Sequence, residues 1–436
     1  MNIHETSHWL QIKTIVKHYY LFPFSIIIVL FSSSCRKDTT SIVPPNDTVT
    51  AEIPAKYNLD QTLSSGAQKN TIAFDALGFM VGNLGAQTFL PPGKVADYSG
   101  FQYLRDNDPT EMGHNTDFVT IIAKNVLGIL NDQQIQKWVA AANSQVALIN
   151  EYAYKRYPLC KAFRRLLDND LPAGTTTLNE DAVKQYSGEL YQIDGQISYN
   201  RAQLFGETIS SLSTDQANQL KALKLLNGIG HWSTSVADKL GALHLSHDVN
   251  VAVMTYASEM YAWYAGSTTA DVYFCPERQG TYFGSFYLKD WPAMGNPNYT
   301  INEQLTATAG EQFYGILDST QYNLINGIVT TQNAALIGLV QQRSAISIEL
   351  RKFLAGSTAS ASTVSSLSFN YGSYDGTIIY QYATKFAAVY HSLTAAQKLQ
   401  IKQLGANLGY VDPPGGFLYS SPIGMPTIPN TDFMFR

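Results

Sequence analysis

A long internal duplication constrains this chain more than any other feature. Two short motifs of the form Leu-polar-x-x-Gln begin at Leu130 and Leu212, and two more begin at Leu317 and Leu393. They end on Gln134, Gln216, Gln321 and Gln397, so each pair is similarly spaced, from 130 to 212 and from 317 to 393. A constant shift of 187 carries Leu130, Gln134, Arg156, Arg164 and Leu167 onto Leu317, Gln321, Arg343, Arg351 and Leu354. Past a six-residue deletion a shift of 181 carries Asp194-Gly195, Tyr199, Phe205 and Leu212 onto Asp375-Gly376, Tyr380, Phe386 and Leu393. Upstream, Tyr98, Gly100, Tyr103, Leu104 and Asp106 repeat as Tyr282, Gly284, Tyr287, Leu288 and Asp290. Register held over such a span means one architecture built twice, and it moves the search for function to the pair.

Each copy reads as helical. After Leu130, the apolar residues Ile135, Val139, Ala142, Val146, Ile149 and Ala153 recur at three- and four-residue steps, which is one stripe on a long helix. Asn131 or Asp132 caps its start. In the second copy Ile325, Ile328, Ala335, Leu339, Ile346, Leu350 and Phe353 form a looser stripe that predicts a helix ending near Gly356. Turns around 169–177 and 356–363 lead to second long helices, striped by Leu190, Ile193, Ile197 and Leu204 and by Tyr371, Tyr374, Ile378 and Tyr382. The expected fold is all-α: two tandem copies of a long antiparallel helical hairpin with flanking short helices and aromatic Gly/Pro-rich loops. Those loops are Phe89 to Asp106 and Phe274 to Tyr299, and the tail from Asp412 to Arg436 shares their texture. Tyr98, Tyr103, Tyr282, Phe283, Phe286 and Tyr287 suit loop-to-helix packing, with contact to a partner as the alternative. Asp194-Gly195 and Asp375-Gly376 read as local helix irregularities.

The first residues have the pattern of a targeting segment. Lys13 and Lys17 precede the apolar run Leu21 to Phe31, which is too short to span a bilayer as a mature helix. Ser32, Ser33 and Ser34 lead into Cys35, as in a bacterial lipoprotein signal whose cysteine is diacylated and becomes the mature N-terminus. Ser32 stands where such signals usually carry Leu, so cleavage near Ser34 as an ordinary secreted protein is the alternative. The expected location is the cell envelope, lipid-anchored on the periplasmic side or at the cell surface. Pro44-Pro45 and Pro54 then mark a flexible tether. The resulting boundaries are 1–35 signal, 36–68 tether, 69–226 first copy, 227–250 linker, 251–408 second copy and 409–436 tail.

Charge and motif content narrow the chemistry. With 29 basic and 34 acidic residues and a net charge of −5, no basic stripe points to nucleic acid. No nucleophile elbow, phosphate loop, dinucleotide fingerprint or His-Glu-x-x-His occurs, and neither enzyme activity nor a cofactor is expected. Cys160 and Cys275 lie one in each copy: a disulfide stapling the copies and two separate buried cysteines are both open. His244 and His247, with His231 upstream, form the one histidine cluster; a shared helix face would offer zinc two ligands, and polar surface contacts are the simpler role.

The motifs, paired across helical hairpins, resemble the LTxxQ family of periplasmic stress proteins, which includes the Spy and CpxP chaperone-like proteins and the zinc-resistance-associated proteins. Leu393-Thr394-Ala395-Ala396-Gln397 matches fully, Leu212-Ser213 with Gln216 conservatively, and the other two replace Thr by Asn131 and Asp318. The resemblance spans roughly Ile121 to Leu226 and Thr308 to Leu404. It implies a non-catalytic, chaperone-like or stress-related protein that binds unfolded or envelope proteins through a concave cradle. Here the tandem copies would supply both halves of a dimer within one monomeric chain. Arg156, Arg164 and Arg165 with Arg343, Arg351 and Lys352 are the basic residues available to that cradle. A structural or assembly protein of the envelope, and a zinc-sensing or zinc-buffering protein, are the competing readings.

Overall fold

The computed structural model describes residues 65–81, 117–155, 157–223, 232–265, 271–275, 285–289, 304–407, 416–418, 421–423 and 427–436. The signal segment with Cys35, the tether up to residue 64, and the first aromatic stretch lie outside these residues. Among the described residues the protein is predominantly α-helical, and no helix is long and apolar enough to cross a membrane.

Helix α1 is Ser65–Val81. It is followed by α2 (Asp117–Ile129), α3 (Asp132–Lys155), α4 (Tyr157–Asp168), α5 (Glu180–Ser210), α6 (Thr214–Leu223) and α7 (His247–Ala265). Past α7 come α8 (Gln304–Ile316), α9 (Ser319–Asn326), α10 (Ile328–Thr331), α11 (Asn333–Leu350), α12 (Ala361–Ser392) and α13 (Ala395–Asn407). The shift of 187 maps α2 onto α8 and the start of α3 onto that of α9, and the shift of 181 maps α5 onto α12 and α6 onto α13.

The apolar stripe of α3 is buried at Ile135, Ala142 and Ile149, and Trp138 and Tyr152 join it in the core. Asp132 in the first turn and Lys155 in the last turn complement the helix dipole. The second segment departs from one long helix. Breaks at Gly327 and Gln332 divide it into α9, α10 and α11, and the helix ends at Leu350, followed by turns to Gly356. Gly356 has φ +73°, and its register mate Asn169 has φ +59°. Both are residue types that tolerate the left-handed conformation ending a helix.

Helices α5 and α12 run antiparallel and, among the described residues, make the most extensive helix–helix contact. Both pass through Asp194-Gly195 and Asp375-Gly376 without interruption, so these pairs are not helix irregularities. The glycines permit close approach instead. A Cβ on Gly195 would fall 2.2 Å from Ser368 Oγ, and one on Gly376 would fall 2.8 Å from Lys184 Cα. Ser187 and Ser368 are themselves register mates, so the crossing looks much the same from either helix. Tyr191 and Tyr371 meet near its centre, with ring centroids 5.0 Å apart.

The helices flanking these segments do not follow the expected boundaries. Helix α1 begins at Ser65, inside the stretch read as tether, and packs on α8, α9, α10, α12 and α13 of the second segment. Helix α7 begins inside the expected linker and packs on α2, α3 and α5 of the first segment. Part of that linker is core: Trp232 and Leu240 are buried, and Lys239 Nζ donates to the carbonyls of Gly128 and Leu130. The apolar surface on these residues explains why they fold rather than connect.

The second aromatic stretch is not wholly loop. Strand β1 (Asp271–Cys275) pairs antiparallel with β2 (Ser285–Lys289), aligning Tyr273 with Tyr287 and Phe274 with Phe286. In the tail, β3 (Gly416–Leu418) pairs with β4 (Ser421–Ile423). The last residues bind the turn before α5: Thr176 and Thr177 N–H groups donate to the Arg436 carbonyl, and Asn179 N–H donates to that of Met434. Met434 and Phe435 are buried there, while Phe433 is exposed.

Candidate functional site

The four sequence motifs converge in two knots at the helix ends. In the first, Asn131 Oδ1 accepts the Gln134 N–H at 2.9 Å, and Gln134 Oε1 accepts the Asn131 N–H at 2.8 Å. This reciprocal box satisfies donors that a helix start leaves open. Ser213 and Gln216 form the same box at the start of α6. The two boxes are then joined: Gln216 Nε2 donates to Gln134 Oε1 at 2.9 Å and to the Ile129 carbonyl at 2.7 Å, and Gln134 Nε2 donates to Ser211 Oγ at 3.0 Å.

The second knot repeats every one of these bonds. Asp318 boxes with Gln321 and Thr394 with Gln397. Gln397 Nε2 donates to Gln321 Oε1 at 2.8 Å and to the Ile316 carbonyl at 2.9 Å, while Gln321 Nε2 donates to Ser392 Oγ at 3.2 Å. The motif leucines sit beneath: Leu130 and Leu393 are buried, and Leu212 and Leu317 are half-buried against the core. Each glutamine thus ties the ends of three helical segments together. Its amide is committed to the fold, so the motif is an architectural device rather than a ligand site.

A second set of paired polar groups is buried deeper. Arg201 Nη1 bonds both Glu259 carboxylate oxygens at 3.0 Å, and its guanidinium lies 5.0 Å from the Tyr256 ring centre. Tyr256 Oη donates to Gln145 Oε1 at 3.0 Å. The register mates of Gln145 and Arg201 are Gln332 and Tyr382, and here Tyr382 Oη donates to Gln332 Oε1 at 2.9 Å while Gln332 Nε2 donates to Gln68 Oε1. Burial, with the Asp75 charge nearby, pushes the Tyr382 hydroxyl well above its ordinary pKa, so it stays a donor. The sequence motifs gave no sign of these groups. Polar residues inside helical stripes were the available signal.

The basic residues implied for a cradle are spent on the fold. Arg343 is buried, Arg351 Nη1 donates to the Trp263 carbonyl at 2.7 Å, and Lys352 pairs with Glu349 at 2.7 Å. Arg165 holds Asp170 and the tail residue Asp432, the latter at 2.6 Å. Arg164 reaches Asp168 at 3.6 Å, and Arg156 lies outside the described residues. The geometry therefore departs from the basic cradle that the resemblance implies.

The histidines are not arranged as a shared helix face. His244 sits in a left-handed turn at φ +48°, three residues before α7 starts at His247, so the helical i, i+3 relation does not apply; His231 lies outside the described residues. Among the described residues no group of three or more potential ligands converges on a metal. Cys160 is buried on α4, and the side chain of Cys275 lies outside the described residues. Next to Cys160, burial pushes the Tyr186 hydroxyl up to about 12, aided by Cys160 and Glu189. His391 bonds the Leu167 carbonyl at 2.8 Å and so ties α12 to α4. No protein-family model, curated protein or solved structure matches the chain.

Proposed function

We propose that this chain is a non-catalytic, lipid-anchored cell-envelope protein, chaperone-like in action, whose two segments are copies of one LTxxQ-like helical unit. The two copies stand in for a dimer within one chain. The observation that carries this reading is the pair of glutamine knots, in which the bonds of the first recur in the second at equivalent positions. The antiparallel crossing of α5 and α12 supports it, since each helix offers the other its own glycine and serine.

Binding to unfolded or envelope proteins then falls to the outer surface rather than to charge. On α11, Ile337 and Ile348 are exposed on one face, three turns apart, and the two ionisable residues of that helix, Arg343 and Glu349, are both buried. Such a face suits apolar segments of a partly folded client. The test is suppression of aggregation of a reduced, unfolding client by the mature protein. Suppression that falls severalfold in Ile348→Asp, with the melting temperature unchanged, supports the reading. Absence of any suppression, or a protein found as a stable dimer at micromolar concentration by light scattering, overturns it.

A further inference from the structure

The shift of 184 that relates Tyr98 to Tyr282 also relates α1 to α7. It aligns Thr71 with Thr255, Ala73 with Ala257, Asp75 with Glu259 and Phe79 with Trp263. The packing agrees at the aromatic position. Trp263 lies 6.1 Å from Phe205, and Phe79 lies 5.9 Å from Phe386, where Phe205 and Phe386 are register mates. Glu259 pairs with Arg201 at 3.0 Å, and the Asp75 charge acts on the hydroxyl of the register mate of Arg201, Tyr382. Each helix therefore fills the same groove of its unit.

They reach those grooves by opposite routes. Helix α7 fills the groove of the first unit, which immediately precedes it in the chain. Helix α1 fills the groove of the second unit, from the far end of the chain, and the first unit lies between them. The repeating unit is thus 117–265, and its second occurrence, 304–407, is completed by 65–81. Ile72, Ala73, Ala76, Leu77, Phe79 and Met80 of α1 are all buried in that groove. Polar bonds also hold it: Gln68 meets Gln332 and Asn333, and Tyr314 Oη donates to the Lys69 carbonyl at 3.1 Å. Nothing in those contacts depends on which molecule supplies the helix.

We propose that the groove formed by α8, α9, α10, α12 and α13 is an exchangeable helix-binding site, which takes Ser65–Val81 either from its own chain or from a second copy of this chain. This rests on the reading of the two segments as copies of one unit. Exchange of an identical element preserves every native contact and alters only the connection, here residues 82–116. At low concentration the chain's own helix wins, because its covalent connection makes the binding intramolecular, at an effective concentration on the order of millimolar. Refolding at comparable protein concentration lets neighbouring chains compete.

The test uses the full chain with a specific protease site placed within residues 82–116. After cleavage, the N-terminal piece is expected to co-elute with the body, and a fluorescent Ser65–Val81 peptide in tenfold excess is expected to replace most of it. Two differently tagged intact chains, unfolded together and refolded at about millimolar concentration, are expected to co-purify at twice the monomer mass, and to yield only monomers when refolded a thousandfold more dilute. Dissociation of the piece with no change in the melting of the body overturns the proposal. Retention without either peptide replacement or mixed dimers overturns it as well. A chain that passes these tests yet fails to suppress client aggregation overturns the chaperone-like reading alone.

Discussion

At the scale of single residues, the glutamines decide whether four helix ends hold together. Gln321 supplies one half of the Asp318 box, accepts the Gln397 amide and donates to Ser392. Gln321→Ala removes the one buried amide that joins these partners, and we predict a loss of about 1 kcal/mol in denaturant unfolding. The double-mutant cycle with Gln397→Ala should show a coupling of about 0.5 kcal/mol or more, because the two amides share one bond; strict additivity would refute the knot. Glu349 provides a pH-dependent counterpart. The Lys352 ammonium, bonded to it at 2.7 Å, holds its carboxyl below the usual carboxylate range, and the Ser360 N–H adds to this. A carboxylate depressed in the folded state stabilises fully above its unfolded value of about 4.3 and loses that contribution as pH falls through the lower folded value. Glu349→Gln should therefore cost about 1 kcal/mol at neutral pH, with the difference from the parent vanishing in acid. A difference that persists unchanged at pH 2 would count against the carboxylate's role.

At the scale of elements, the α5–α12 crossing depends on missing side chains. Gly195→Ala brings a Cβ to 2.2 Å from Ser368 Oγ inside a close-packed contact, and we predict destabilisation of about 1–3 kcal/mol. Gly315→Ala in α8 meets nothing within 4 Å and should instead stabilise by up to about 1 kcal/mol, through helix propensity alone. Equal effects in thermal melts would mean that the crossing is not close. The contrast also shows what sequence reveals. The stripes of α3, α5 and α12 were legible because apolar residues recur with the helical period, and the knots were foreshadowed by cap residues standing three positions before glutamine. The role of Asp194-Gly195 was hidden, since a glycine's function here is set by a helix nearly two hundred residues away. The breaks at Gly327 and Gln332 were equally obscure, as tolerated glycines and polar residues inside helical patterns look alike in one dimension. Proximity in the chain points α1 to the first copy, whereas the shift of 184, carried back past Tyr98, matches it to α7.

At the scale of the whole molecule, the connections cross between the two units. Helix α1 closes the second unit from the N-terminal side, while Arg165 and the turn before α5 hold the last residues of the chain on the first unit. Between them, α4 packs on α12, and Tyr199 and Phe353 meet with centroids 5.3 Å apart. Neither unit can lose its structure without exposing apolar surface of the other, so cooperativity should extend over both. We predict a single calorimetric transition whose calorimetric and van't Hoff enthalpies agree. Glu259→Ala provides the sharper form of this prediction. It leaves the Arg201 charge buried in the first unit without its carboxylate, a loss of about 3–5 kcal/mol. If the units are coupled as the crossed connections require, a probe in the second unit, such as hydrogen exchange in α11 and α12, should lose protection by the same free energy as a probe in α3. Loss confined to α3, α5 and α7 would show that the two units unfold separately and that their crossed closure carries no energetic weight.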